Sequence, residues 1–231
     1  MDCVYAPKLS TDFKEISIQG DESKHLKALR LDEGASLLVT NGSGLTAFTS
    51  IKKKSKDFYL LEIERFESSY CEVEKVVTLA MPILDNRDRF EFALEKAVEL
   101  GIKHFIPFYS QFCQRKTINH QRLEKKAIAA MKQSNRSILP IIDKPKSLRK
   151  LSETFSSYKT VLLADFDAYN VFNLKIEFPA LCIVGPEGGF TTEELSFLKS
   201  MSNVHTFFLG NSILRSETAS IALLSLVFFN E

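Results

Sequence analysis

Apolar and polar positions alternate through much of the first 70 residues. Residues 37–51, LLVTNGSGLTAFTSI, contain an apolar run, the turn Asn41-Gly42-Ser43-Gly44 and a second apolar run, the pattern of a β-hairpin. FYLLEIERF alternates as a third strand. Only residues 22–31, ESKHLKALRL, break this pattern, with Leu26, Leu29 and Arg30 at helical spacing. Short strands joined by tight turns predict a small barrel or sandwich of oligonucleotide-binding type over residues 1–70. FESSYCEVEK has no strong periodicity, which places a linker near Glu67 to Glu74.

From Lys75 onward the period switches to strand–helix alternation. VVTLAMPI reads as a strand, and DRFEFALEKAVELG as a helix with Phe90, Ala93, Leu94, Ala97 and Val98 on one face and Gly101 as its C-terminal cap. IKHFIPF is the next strand. A basic helix from about Arg122 to Arg136 turns Leu123, Ala127, Ala130 and Met131 inward. TVLLADF and LCIV are strands, TTEELSFLKSM is a helix with Thr191 and Glu194 in capping-box spacing, HTFFLG is a strand and SETASIALLSLVFF a final helix. That last helix is apolar on nearly all sides, which predicts burial in a core or a subunit interface. Repeated alternation implies an α/β domain over residues 74–231 with a mostly parallel sheet covered on both faces.

Composition narrows the class. The 231 residues are 45% hydrophobic and 26% charged, which excludes disorder of the whole chain. The longest apolar run, Ile221 to Phe229, falls far short of the roughly 20 residues of a membrane span, so no membrane partner is expected. Cys3, Cys71, Cys113 and Cys182 form no CxxC pair, and His25, His104, His120 and His205 show no metal spacing. Reduced thiols in a cytoplasmic protein, without metal, are the expectation. A net charge of +1 hides an asymmetry: residues 103–150 hold 12 basic and 2 acidic side chains, and Lys52-Lys53-Lys54 adds a local basic run. Such an excess points to a polyanion, and nucleic acid is the natural one.

Two loops follow apolar strands and precede helices: Gly185-Pro186-Glu187-Gly188-Gly189-Phe190 and Gly210 through Thr218. Ligands of α/β sheets bind where such loops converge beyond the carboxyl ends of strands. Neither loop is a phosphate cradle, since GxxxxGK[ST] and GxGxxG are both missing, which argues against nucleoside triphosphates and nicotinamide cofactors.

GPEGGFTTEEL, LGNSILRSETA, EKAVELGIKHFIP and AAMKQSNRSILP, in this order, resemble the uracil-N3 methyltransferases of small-subunit ribosomal RNA, a family of the SPOUT superfamily. HLKALRL and LLVTNGSGLTAF resemble that family's N-terminal PUA-like barrel, so the likeness covers nearly the whole chain. The resemblance implies a PUA-like RNA-binding barrel, a C-terminal domain with a trefoil knot, S-adenosylmethionine as methyl donor, and a homodimer acting on ribosomal RNA. It carries a cofactor-binding role to Leu162, Leu163 and Ala164, to Ile183, Val184, Gly185, Pro186, Glu187, Gly188 and Gly189, and to Leu209, Gly210, Ile213, Leu214 and Arg215. Three departures fall on the expected RNA-facing side. Lys132 replaces a usual Glu ahead of Gln133 and Arg136, Ser110-Gln111-Phe112-Cys113 lacks a usual Glu and Arg, and Asn86-Arg87 replaces a basic residue followed by Gly.

Methylation of uracil N3 requires in-line placement of the acceptor and removal of the N3 proton. Arg136 is the expected catalytic cation, for phosphate or for the developing anionic carbonyls, and Glu217 the expected proton acceptor. The competing expectations are a SPOUT enzyme acting at another RNA position and a non-catalytic RNA-binding or ribosome-assembly protein.

Overall fold

A computed structural model describes residues 1–168 and 175–229 and divides the chain into two units. Unit one comprises Met1–Glu72 together with Ile128–Leu139, and unit two comprises Val73–Ala127 with Pro140–Glu231. The division at Glu72 falls inside the predicted linker. Segment 128–139, placed by periodicity in the α/β domain, groups instead with the first unit.

Unit one is built on β1 (Cys3–Tyr5), β2 (Glu15–Gln19), β3 (Ser36–Thr40), β4 (Leu45–Lys54) and β5 (Phe58–Ser68), in the order β1-β3-β4-β5-β2, with the helix α1 (Gly20–Ala28) between β2 and β3. β1 runs parallel to β3, and the other pairs are antiparallel. Inward residues such as Ile16, Ile18, Leu37, Val39, Ala47, Ile51, Tyr59 and Leu61 gather with Leu26 of α1 into one buried cluster. In the β3–β4 turn, Asn41 Oδ1 accepts hydrogen bonds from the Ser43 and Leu45 amides (2.8 and 3.1 Å), and Gly42 takes φ +73°, a conformation glycine adopts at no steric cost.

Segment 128–139 joins this unit through polar contacts. Lys132 Nζ pairs with Glu22 at 2.8 Å, the Gly44 amide donates to the Ser137 carbonyl at 2.9 Å, and the Leu139 amide to the Gly42 carbonyl at 2.9 Å. Arg136 pairs with Glu72 at 2.8 Å, both side chains being almost fully buried. The other Glu72 oxygen accepts from the Ser137 and Ile138 amides.

Unit two contains β6 (Val77–Pro82), α2 (Arg87–Leu100), β7 (His104–Tyr109), the larger part of α3 (His120–Gln133), β8 (Ile141–Ile142), β9 (Lys146–Ser147), α4 (Leu148–Ser152), β10 (Thr160–Ala164), β11 (Ala180–Ile183), α5 (Thr192–Lys199), β12 (Val204–Phe207) and α6 (Ser216–Phe229). The sheet order is β12-β10-β11-β6-β7-β8, β9 also pairing with β7, and every pairing is parallel. Asn86 caps α2 by accepting from the Arg89 amide, and Gly101 ends it at φ +116°. The central strands β6 and β11 are buried along their whole length, as expected of a parallel sheet covered on both faces. From edge strand β12 the chain returns to the middle of the sheet, where α6 packs on α2, β6 and β11. No helix among the described residues is long and apolar enough to cross a membrane.

Candidate ligand site at the carboxyl ends of the sheet

β12, β10 and β11 lie side by side in parallel, with Leu163 in register with both Ile183 and Thr206. Their carboxyl ends therefore share one edge, and the segments after them, beginning at Asp165, Val184 and Phe208, emerge together. Three of the stretches singled out from sequence are thus neighbours, although the first and last of these segments begin 43 positions apart along the chain.

Their side chains divide into two groups. Leu162, Leu163, Ile183 and Val184, at the ends of β10 and β11 just before the loops, are fully buried. Pro186 is also buried, whereas Glu187, Gly188 and Arg215 are exposed and Ala164, Gly185, Gly189, Leu209, Gly210 and Leu214 are half-buried. Ile213 is 87% exposed, an unusual position for an aliphatic side chain beside backbone-rich loops. Gly189 and Gly210 adopt φ +71° and +121°, and nothing occupies the space where a Cβ would project from either. At Gly188 a Cβ would come within 3.1 Å of Phe112 Cβ.

The loops are held from below. Ser216 Oγ, at the start of α6, donates to the Gly185 carbonyl at 2.5 Å and ties the 210–215 segment to the Gly-rich loop. Phe190 stacks on Phe108 with ring centroids 6.3 Å apart. Thr191 and Glu194 form the predicted capping box, and the same Glu194 carboxylate accepts from the Gln111 amide at 2.9 Å. One side chain therefore fixes both the β11–α5 loop and the β7–α3 loop. Asp165 pairs with Lys199 at 2.6 Å, steadying the segment after β10, and Phe166 meets Phe208 edge to face. The reach from Glu194 to Gln111, 83 positions away, and that from Ser216 to Gly185 left no signal in local sequence.

Glu217 stands in the first turn of α6, mostly buried, with its carboxylate 3.6 Å from Arg89 Nε. Arg136, the other expected catalytic residue, belongs to unit one, where its side chain is 2% exposed and its guanidinium is engaged by Glu72. The basic excess of residues 103–150 is likewise reduced by pairing. Glu91 takes Arg122 and its carboxyl is held below the usual range by that hydrogen bond, while Glu95 takes Lys126 and Asp143 takes Lys146.

The set of groups at the shared edge is apolar side chains, glycine backbone and few cations. Such a site fits a nucleoside without phosphates: flat apolar contacts for a purine and main-chain donors and acceptors for its edge. S-adenosylmethionine has that chemistry.

Comparison with known proteins agrees with this chemistry. The RNA methyltransferase domain family matches residues 71–228, and the RNA methyltransferase PUA domain family matches residues 18–64. The ribosomal RNA small subunit methyltransferase E of Mesomycoplasma hyopneumoniae is 32% identical over 185 residues, covering 73% of this chain and 80% of that protein. The protein of the same name from Rickettsia conorii is 29% identical over 233 residues, covering 97% and 93%. The crystal structure of a ribosomal RNA small subunit methyltransferase E from Neisseria gonorrhoeae, bound to S-adenosyl methionine, superimposes with a TM-score of 0.90 at 25% identity, covering 98% of this chain and 96% of that one.

Proposed function

Because the chain belongs to the ribosomal RNA small subunit methyltransferase E family, with an RNA methyltransferase domain and an N-terminal PUA domain, we propose that it methylates N3 of a uridine in 16S ribosomal RNA. At the coarser level it is an S-adenosylmethionine-dependent ribosomal RNA methyltransferase. The observation that carries the reading is the meeting of the Gly185–Gly189 loop, the Leu209–Arg215 segment and the end of β10 at adjacent strand ends, with Ile213 exposed among them.

S-adenosylmethionine, when bound, supplies a methyl group on a good neutral leaving group. The main chain of Gly185 to Gly189, with Pro186 and Glu187 in its turn, and the segment Leu209 to Arg215 would hold it. Ile213 and Leu214 would offer apolar contact, Ala164 would close the third side, and Leu162, Leu163, Ile183 and Val184 would support the floor. Gly210 and Gly189 let the backbone approach without a side chain between. The protein's remaining tasks are to hold the uracil ring in line and to take its N3 proton as the N3–methyl bond forms. Glu217, with Arg89 beside it, is the proton acceptor in this account. Glu217→Gln is expected to lower kcat by about 100-fold or more with cofactor affinity kept near wild type. An unchanged kcat would remove Glu217 from that role. Transfer of labelled methyl from S-adenosylmethionine to deproteinised 16S RNA or to small subunits tests the activity itself, and binding of the cofactor with no transfer to either would favour a non-catalytic RNA-binding protein.

The return of the chain from edge strand β12 to α6 in the middle of the sheet supports the trefoil-knot reading. A homodimer is also part of the proposal. Leu223, Leu224, Val227 and Phe228 of α6 are buried within the unit, while Leu226 and Phe229 remain 44% and 75% exposed on the same helix. Exposed apolar side chains grouped on one face suit an interface. Light scattering at micromolar concentration is expected to give twice the 26.2 kDa of one chain, and a fully active monomer would refute the dimer.

A further inference from the structure

The segment that joins β7 to α3 presents an aromatic ring beside the Gly-rich loop. Phe112 is 53% exposed, and a Cβ at Gly188 would meet Phe112 Cβ, Cγ and Cδ2 at 3.1, 3.4 and 3.6 Å. A single exposed phenyl ring is ordinary on a protein surface. What sets this one apart is how its backbone is held and what it stands next to.

Ser110 and Cys113, on either side of the exposed pair Gln111 and Phe112, are both buried, and the Cys113 amide donates to the Ser110 carbonyl at 3.2 Å. This closes a tight turn with Gln111 and Phe112 at its tip. The Gln111 amide donates to one oxygen of Glu194 at 2.9 Å, and the other oxygen accepts from the Thr191 amide at the end of the Gly-rich loop. The turn and the Gly-rich loop therefore share one anchor. The ring is set against Gly188 by a fixed backbone while about half of it faces solvent. Phe108 and Phe190 stack on each other and Phe166 meets Phe208, whereas Phe112 belongs to no ring pair among the described residues.

A base taken out of an RNA stack loses its neighbours, and the site that receives it has to offer another plane. An aromatic side chain does this for any base, because every base has a π-face. In-line methyl transfer further requires the acceptor atom within about 3–3.5 Å of the methyl carbon, so the plane has to lie beside the cofactor loop. Phe112 meets both conditions. A larger apolar partner would need a contiguous patch, and the ring is flanked instead by the exposed amides of Gln111 and Gln114. Residues 110–119 contain no acidic side chain, and the exposed Arg115 and Lys116 that follow the ring suit the phosphates on either side of a base.

We propose that Phe112 is the stacking platform for the uracil that receives the methyl group. The assignment rests on the uracil-methyltransferase reading for its substrate, and the test lets the two fail separately. The chain contains no tryptophan, so Phe112→Trp places a lone indole fluorophore at the turn. Hexauridylate is expected to quench its emission saturably, and an abasic hexamer, which keeps the phosphates without the bases, is expected to leave it unchanged. Methyl transfer is followed on whichever of deproteinised 16S RNA and small subunits the wild-type protein modifies. Phe112→Leu is expected to lower kcat/KM about tenfold or more, the scale of one lost base–aromatic stack, with S-adenosylmethionine affinity kept within about twofold. Phe112→Tyr, which keeps the ring, is expected to recover kcat/KM to within about threefold of wild type. An unchanged kcat/KM in Phe112→Leu, a Phe112→Tyr variant no better than Phe112→Leu, or an indole that hexauridylate does not quench would overturn the platform. A loss of cofactor affinity in Phe112→Leu as large as its loss of kcat/KM would overturn it too, since the ring would then only buttress the Gly-rich loop. Saturable, base-dependent quenching alongside a wild-type protein that transfers no methyl group to ribosomal RNA would remove the catalytic reading and leave the stacking site standing.

Discussion

Gly188→Val is expected to reduce S-adenosylmethionine affinity by about 100-fold or more while the protein stays folded. The reason is steric rather than conformational. Gly188 has no left-handed φ, so the backbone accepts a side chain, but a Cβ there would already sit 3.1 Å from Phe112 Cβ. Two further methyl groups would have to displace Phe112 or fill the space in front of the loop. A loss of 100-fold corresponds to about 2.7 kcal/mol. Calorimetric titration of the cofactor checks it, with thermal denaturation as the folding control. Gly188→Ala should be intermediate, because one methyl group needs only a few tenths of an ångström from Phe112. Near-normal affinity in folded Gly188→Val would remove the loop from the site.

Loss of the Glu72 carboxylate is expected to be the most destabilising change in unit one. Glu72→Ala withdraws the partner of a guanidinium that is 2% exposed, and with it the acceptor for the Ser137 and Ile138 amides. Breaking a buried ion pair from one side costs about 3–5 kcal/mol, since the remaining charge stays out of water. Denaturant unfolding of the full chain measures it. Glu72→Leu combined with Arg136→Met should recover part of the loss, because both charges then leave together. A change below about 1 kcal/mol for Glu72→Ala would show that the pair does not hold segment 128–139 to the unit.

These two predictions also mark where the sequence could and could not be read. Glycine and proline punctuation marks the two candidate loops, because a backbone that must approach a ligand or turn sharply needs those residues locally. Period-2 and period-3.6 patterns placed the β3–β4 hairpin, α2, α5 and α6 to within a few residues, since burial of one face imposes them. β1 and the two-residue strands β8 and β9 were too short to show a period. Helix α3 reads as one amphipathic element, and nothing within it marks that its last turns group with residues before 73. That grouping depends on Glu22 and Glu72, 110 and 64 positions from Lys132 and Arg136. The burial of Arg136 is hidden for the same reason: an arginine in a basic stretch looks solvent-facing until its distant carboxylate is known. The charge excess of residues 103–150 overstated the free cationic surface because its neutralising Glu91 and Glu95 lie on α2.

Mapping the methylated nucleotide tests the central claim most directly. Small-subunit RNA lacking the modification would be incubated with the protein and S-adenosylmethionine, digested, and examined by tandem mass spectrometry. The account predicts one added methyl group, on N3 of a single uridine, with no product from Gly188→Val. A methyl group on a ribose hydroxyl, on a base other than uracil, or on no nucleotide despite bound cofactor would contradict it.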